Sequence, residues 1–258
     1  MKTNILLNKL AKRFPKKYAK MNHDFVGLMV GKKPEEVHKI VLVLDLDWEV
    51  FDKVKEVKPD IVITHHPFIY GPKGKILKYD LNKKALFDAL NEEGIVVYSY
   101  HTNFDTGRGG MNDALASLLN LKDVYIPEKE IMMRIGYLEE PMEVHEFARF
   151  ATKAFNVDYA LLVNYGKDKV QKVGIIGGGG SRDYKVAFLE ECDIYISGDA
   201  PHHVRRDVIN DKFNYLDMPH EIEHVFMPQM KKILLEIDGT LEVITFDHEK
   251  VPEVIVKP

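Results

Sequence analysis

Short runs of consecutive apolar residues, at 39–44, 60–64, 94–100, 172–176 and 193–197, alternate with longer segments whose apolar residues recur every three or four positions. That alternation points to a layered α/β fold, because each run can bury both faces only between layers of amphipathic helix. The runs are apolar at successive rather than alternate positions, as in parallel strands covered on both sides. Helices are expected at 49–57, 82–92, 111–120, 144–155, 184–190 and 204–210, and a further strand in the tail 241–256, broken at Pro252. The chain has 258 residues, 45% of them hydrophobic, enough for one large or two modest domains. No linker of low complexity and no residue-level repeat divides it. The best boundaries lie at 127–130 and near Asp211, so the expectation is two interlinked α/β domains with layered, mixed sheets flanked by helices. The first is 1–127, joined by 211–258, and the second is 128–210.

Lys and Arg number 36 against 40 Asp and Glu, a net charge of −4. This argues against a general nucleic-acid or anionic-membrane binder, which needs a basic surface. The first twenty residues are basic, with no acid before Asp24, but no apolar signal core follows them. Ile5, Leu6, Leu10 and Phe14 instead fall at helical spacing, as in an amphipathic helix with a solvated basic face. A single cysteine, Cys192, allows no internal disulfide, and no apolar stretch approaches the length of a membrane span, so a cytoplasmic location without membrane attachment is expected. Cys192, just before a strand, reads as a buried small hydrophobe.

Eleven histidines fall mainly at strand ends. The run Ile61-Val62-Ile63-Thr64 stops at His65-His66-Pro67, and the carboxyl ends of strands are where open α/β sheets bind ligands. Successive strand residues point to opposite faces, so two histidines serving one site need the strand to turn there; alternatively each holds a different ion. The run ending at Tyr100 is followed by His101 and Asp105. Asp105 offers two oxygens able to bridge two cations, and His101 could ligate or orient a ligand. After it, Thr106-Gly107-Arg108-Gly109-Gly110 reads as a turn before a helix capped by Asn112 or Asp113.

His220 and His224, in Met218-Pro219-His220-Glu221-Ile222-Glu223-His224, are four apart and share one face if the segment is an α-helix. The same letters match H-E-x-x-H of zinc proteases with Glu221 as base, but Val225-Phe226-Met227-Pro228 lacks the metzincin continuation. A third protease ligand would have to be Glu236, Glu242, Glu249 or Glu253, so the protease is only a remote alternative. Taken jointly, His65, His66, Asp105, His220 and His224 are the ligand types and number that two divalent metals need, with water filling the remaining positions.

The segments THHPFIY, YSYHTNFDTGRGGMNDALASLLNL, SGDAPHH and DFVGLMVG followed by VLVLDLDWEVF resemble the GTP cyclohydrolase I type 2 homologue family, also called the NGG-interacting factor three family. The resemblance runs from about Asp24 to His224 in the family's order. It implies two interlinked α/β domains, a homo-oligomer with a central cavity, usually a hexameric toroid, and a dinuclear metal centre per subunit. It places the family's paired histidines on His65 and His66, its bridging aspartate on Asp105 and its C-terminal histidine on His220. The family usually has glutamate four residues after that histidine; here His224 stands there, with Glu223 one residue earlier. His224 fits by position and Glu223 by chemistry. A histidine there favours zinc or iron, though Zn, Fe, Mn and Ni are not distinguished.

Gly177-Gly178-Gly179-Gly180-Ser181 follows a strand and could cradle a phosphate with backbone N–H groups, Gly178 and Gly179 foremost, although it matches neither a Walker loop nor G-x-G-x-x-G. Arg108 and Arg182 could hold the anionic part of a substrate. His202 and His203 follow another strand end. The expected function is a metal-dependent hydrolase of a small nucleotide-like or phosphorylated substrate, with Glu223 or His101 moving the proton. A non-catalytic metal-handling, regulatory or scaffold protein would use the same ligands. Nothing in the residues selects guanine.

Overall fold

The computed structural model describes residues 1–248 and 252–255. The chain divides into two compact units, Met1–Asn103 with Phe226–Pro258, and Phe104–Val225. Each carries one mixed sheet flanked by helices, the α/β architecture expected from the alternating pattern.

The first unit opens with the helix Thr3–Arg13, which buries Leu6 and Leu10 and leaves its lysines in solvent, as the spacing predicts; Ile5 points outward. Its sheet contains β1 (Gly27–Val30), β2 (Lys39–Val43), β3 (Ile61–Thr64), β4 (Val97–Ser99) and a C-terminal strand, Glu242–Thr245. The order is β1, β4, β3, β2, C-terminal strand, with β1 antiparallel at one edge and the rest parallel. Residues 249–251 and 256 of the expected tail strand lie outside the described residues, and 252–255 are not strand. The helices Trp48–Val57 and Leu81–Glu92 start where aspartates cap them: Asp47 accepts from the Val50 amide at 2.9 Å and Asp80 from the Lys83 amide at 2.8 Å. They bury Val50, Phe51, Val54, Leu86 and Leu90 in one core with Val41, Val43, Val62 and Val97 of the sheet.

The second unit contains β5 (Lys122–Tyr125), β6 (Arg134–Glu143), β7 (Leu161–Asn164), β8 (Lys169–Ile175), β9 (Ile194–Gly198) and β10 (Asn214–Met218). The order is β5, β6, β8, β9, β10, β7. The central trio β8, β9 and β10 is parallel and its neighbours are antiparallel. Ile135, Tyr195, Tyr215, Ala187, Val204 and Val208 belong to its core. Cys192 is buried there, and burial pushes its thiol up to about 12.

Among the described residues no helix is long and apolar enough to cross a membrane.

Candidate metal centre

Three neighbouring parallel strands of the first unit end level with one another. Val43 pairs with Thr64 and Thr64 with Ser99, and the Thr64 and Ser99 hydroxyls hydrogen-bond at 2.7 Å. Beyond Thr64 the backbone bends, and the amides of His65 and His66 both donate to the Leu44 carbonyl, at 3.2 and 3.0 Å. This bend ends the strand's up-down alternation, so the two imidazoles lie together with ring centroids 4.9 Å apart. His101, just past β4, has its ring 5.1 Å from that of His65 and 5.5 Å from that of His66. One ring nitrogen from each of the three falls within 4.8 Å of the others.

Each of these rings is oriented by an oxygen on Nδ1. His65 faces the Tyr100 carbonyl at 2.9 Å, His66 the Asp45 carboxylate at 2.7 Å, and His101 the Asp24 carboxylate at 2.8 Å. Carbonyl and carboxylate oxygens only accept, so Nδ1 carries a proton, and in the neutral ring Nε2 carries the lone pair. That is the tautomer and the outer support found around metal-ligating histidines. Burial raises the Asp24 carboxyl, but the hydrogen bond and charge of His101, with bonds from Thr102 and the Phe25 amide, hold it below the ordinary value on balance.

In the second unit the chemistry again follows parallel strand ends. Asp199 follows β9 and His220 follows β10, and the register pairs Met218 with Gly198, so the two chains leave the sheet side by side. His220 Nδ1 lies 2.6 Å from Asp199 and its Nε2 3.1 Å from Glu223. The hydrogen bond that His220 donates to Glu223 leads, outweighing the opposing effect of burial, and Asp199 adds to it; together they push the His220 pKa up to about 9. Two carboxylates thus frame a position that favours a cation, which the ring's own proton satisfies at neutral pH.

The segment His220–Val225 is a 3₁₀-helix, followed by the α-helix Phe226–Ile237. With three residues per turn, positions i and i+3 eclipse, so His220 meets Glu223. The α-helical pairing of His220 with His224, on which a zinc-protease reading depends, is not formed. Glu223 is buried and His224 half-buried.

The glycine turn packs against this pair. Gly178 has φ +62°, and a Cβ there would run into the Glu223 carboxylate and come 3.3 Å from the His220 ring. The Gly177 amide donates to the Asn112 side chain at 2.7 Å and the Gly180 amide to the Gly178 carbonyl at 2.9 Å. Asp105 is buried on the helix Thr102–Thr106, and its carbonyl accepts from Asn112 Nδ2 at 3.2 Å. Asn112 therefore ties the Asp105 backbone to the glycine turn. Arg134 is fully buried; it donates to Asp113 at 2.7 and 2.9 Å and to the Thr106 carbonyl at 2.9 Å, fixing the turn after Asp105. Arg108, 63% exposed in its side chain, lies 3.8 Å from Asp113. Arg182, Gly179, His202 and His203 face solvent.

Asp24, Asp45, Asp199 and Asn112 are the supporting residues that motif reading alone does not assign. All four lie inside the segments that carry the family resemblance.

A family model described as Duf34/NIF3 (NGG1p interacting factor 3) matches residues 1–252. The chain is 31% identical over 247 residues to the GTP cyclohydrolase 1 type 2 homolog of Lactococcus lactis, covering 94% of this chain and 95% of that one. Among solved structures, reduced HcgD from Methanocaldococcus jannaschii is 28% identical, with a TM-score of 0.80 over 96% of this chain and 98% of that one. A Bacillus cereus protein related to NIF3 shares the fold at a TM-score of 0.86, with 21% identity over 99% of both chains.

Proposed function

Because the chain belongs to the Duf34/NIF3 family, we propose that it is a dinuclear divalent-metal protein that hydrolyses a small nucleotide-like or phosphorylated substrate. The observation that carries this reading is the uniform support of the histidines: His65, His66, His101 and His220 each have Nδ1 set against a carbonyl or carboxylate oxygen. In this reading His65, His66, Asp105 and His220 hold the metals, with the last position taken by Glu223 or His224. The contact between His220 and Glu223 favours Glu223. Bound divalent metal would supply a water acidic enough to act as a nucleophile near neutral pH. His101, held by Asp24, would take and return the proton, with Glu223 in that role instead if His224 fills the last ligand position. Gly178, Gly179, Arg108 and Arg182 are the candidates for an anionic group of the substrate. The name of the relatives suggests purine-ring opening, and nothing in the site's residues selects guanine. The reading includes a homohexamer acting in the cytoplasm; sedimentation of the purified protein at six subunit masses checks the assembly.

The test is metal content per chain in protein purified without added metal, beside His66→Ala, followed by a hydrolysis screen of nucleotides and phosphate esters. Two equivalents, falling sharply in the variant, with turnover in the wild type alone, support the proposal. Metal that survives loss of His66 overturns the site. Two equivalents without turnover of any substrate give the metal-handling alternative.

A further inference from the structure

The first unit contains a pocket that shares only Asp24 with the proposed metal chemistry. Lys16, Ala19, Lys20, Asp24, Phe25, Met29, Ile69 and Lys73 are among the residues lining a pocket of about 440 Å³, within the range of small-molecule sites. Its floor is apolar, with Ala19, Met29 and Ile69 buried. Three ammonium groups surround that floor, and among the described residues none of them is paired with a carboxylate. Two are held on aromatic faces: Lys16 Nζ lies 5.7 Å from the Tyr98 ring centroid, and Lys73 Nζ 4.1 Å from that of Phe87 and 3.5 Å from the Met29 carbonyl. Gly27, at φ +107°, leaves room for the Lys16 ammonium, which a Cβ there would meet. The acid in the lining is Asp24, whose carboxylate is bound to His101 and Thr102, with its side chain only 1% exposed. Phe25 is 38% exposed and stands edge-on to Tyr70, 56% exposed, at 5.9 Å.

An apolar concavity rimmed by polar groups marks a ligand site, and a cleft lined by charge of one sign concentrates ligands of the other. We propose that this pocket binds a planar aromatic anion of nucleoside monophosphate class, its ring against Phe25 and the apolar floor and its anionic group among Lys16, Lys20 and Lys73. The pocket shares Asp24 with the support of His101, so the ligand sits one hydrogen-bonded residue from the histidine cluster. The proposal goes beyond the metal reading and does not depend on it, because none of these contacts involves a metal ligand.

The experiment is calorimetric titration of EDTA-treated protein with AMP and with GMP, using adenosine and inorganic phosphate as the separated halves. Both nucleotides bind, since the proposed ring contact is with Phe25 and the apolar floor, and each half binds more weakly. Lys16→Met with Lys73→Met weakens AMP binding about tenfold or more, as does Phe25→Ala. All three positions are exposed, so the fold is retained, and circular dichroism and an unchanged metal content in untreated protein confirm it. Failure of both nucleotides to bind at millimolar concentration, equal binding in the variants, or phosphate binding as tightly as AMP overturns the proposal. Nucleotide binding that persists in a protein unable to load metal leaves this site standing and removes the hydrolase reading; metal loading with no nucleotide binding does the reverse.

Discussion

The two units place their chemistry at the same kind of address and furnish it differently. In each, parallel strands end side by side and the functional groups follow those ends. The first unit gathers three imidazoles whose rings lie within 5.5 Å of one another. The second offers one imidazole between two carboxylates, against a turn that only glycine can make. Nitrogen donors on one side and carboxylates with a protonated imidazole on the other teach that the histidine count alone is a poor guide. What decides a histidine's chemistry is the oxygen on its Nδ1 and whether a second acid lies at Nε2.

The largest expected effect probes how the second unit is braced. Unit one levels its strand ends with a neutral hydroxyl pair, whereas unit two fixes the turn after Asp105 with a buried guanidinium. Arg134→Leu removes the buried guanidinium from Asp113 and from several carbonyls and should cost about 3–5 kcal/mol in urea denaturation; a loss below about 1 kcal/mol would show that the brace is dispensable. Gly178→Ala puts a side chain into a left-handed conformation and into Glu223, at a cost of about 1–3 kcal/mol. Its thermal midpoint should fall together with metal content, and a midpoint drop with full metal loading would separate the turn from the site. Asp24→Asn, Asp45→Asn and Asp199→Asn each remove a charged support and should lower metal affinity about 10–100-fold by competition with a chromophoric chelator. Loss from the first two alone would confine the centre to the first unit.

The smallest effect concerns Asp183, beside the glycine turn. Burial, with Glu130 adding to it, raises its pKa to about 6 from 3.8. A carboxyl with a raised folded-state pKa favours the fold while protonated, so that contribution is complete below about pH 4 and is lost as pH rises through 6. Asp183→Asn should therefore be more stable than wild type by about 1 kcal/mol at pH 7.5, after allowance for solvent screening of a partly exposed group. At pH 3.8 or below the two should agree, and a stability gap of the same size at both pH values would remove the assignment.

The parallel strands β2, β3, β8 and β9 were legible because burial on both faces demands unbroken apolar runs, and the helix starts at Asp47 and Asp80 carry capping side chains. β5 and β7 were not: both are largely exposed edge strands, β5 has no apolar run, and the run in β7 is only Leu161 to Val163. β10 is buried throughout yet contains Asn214 and Asp217, polar residues whose partners come from distant chain: Asn214 donates to the Lys167 and Asp193 carbonyls, and Asp217 accepts from the Ala200 amide. At the candidate site, His65, His66 and Asp105 stood out by residue type at strand ends. Asp24, 77 residues before His101 in sequence, is brought to it by the pairing of β1 with β4 and could not be read from spacing. The 3₁₀ geometry after β10 also escaped, because an i, i+4 pair and an i, i+3 pair look equally good until the local winding is known.

The edge strand Glu242–Thr245 pairs with Lys39–Leu42, some two hundred residues earlier. The ribosome therefore delivers the whole continuous segment Phe104–Val225 before the first sheet can receive its last strand. Contacts of such long sequence separation form late, and during synthesis the segment made second is free to complete its sheet first. Until the C-terminal strand arrives, the outer edge of β2 presents unpaired backbone groups to the cell, a window in which a nascent chain is open to a chaperone or to a neighbour.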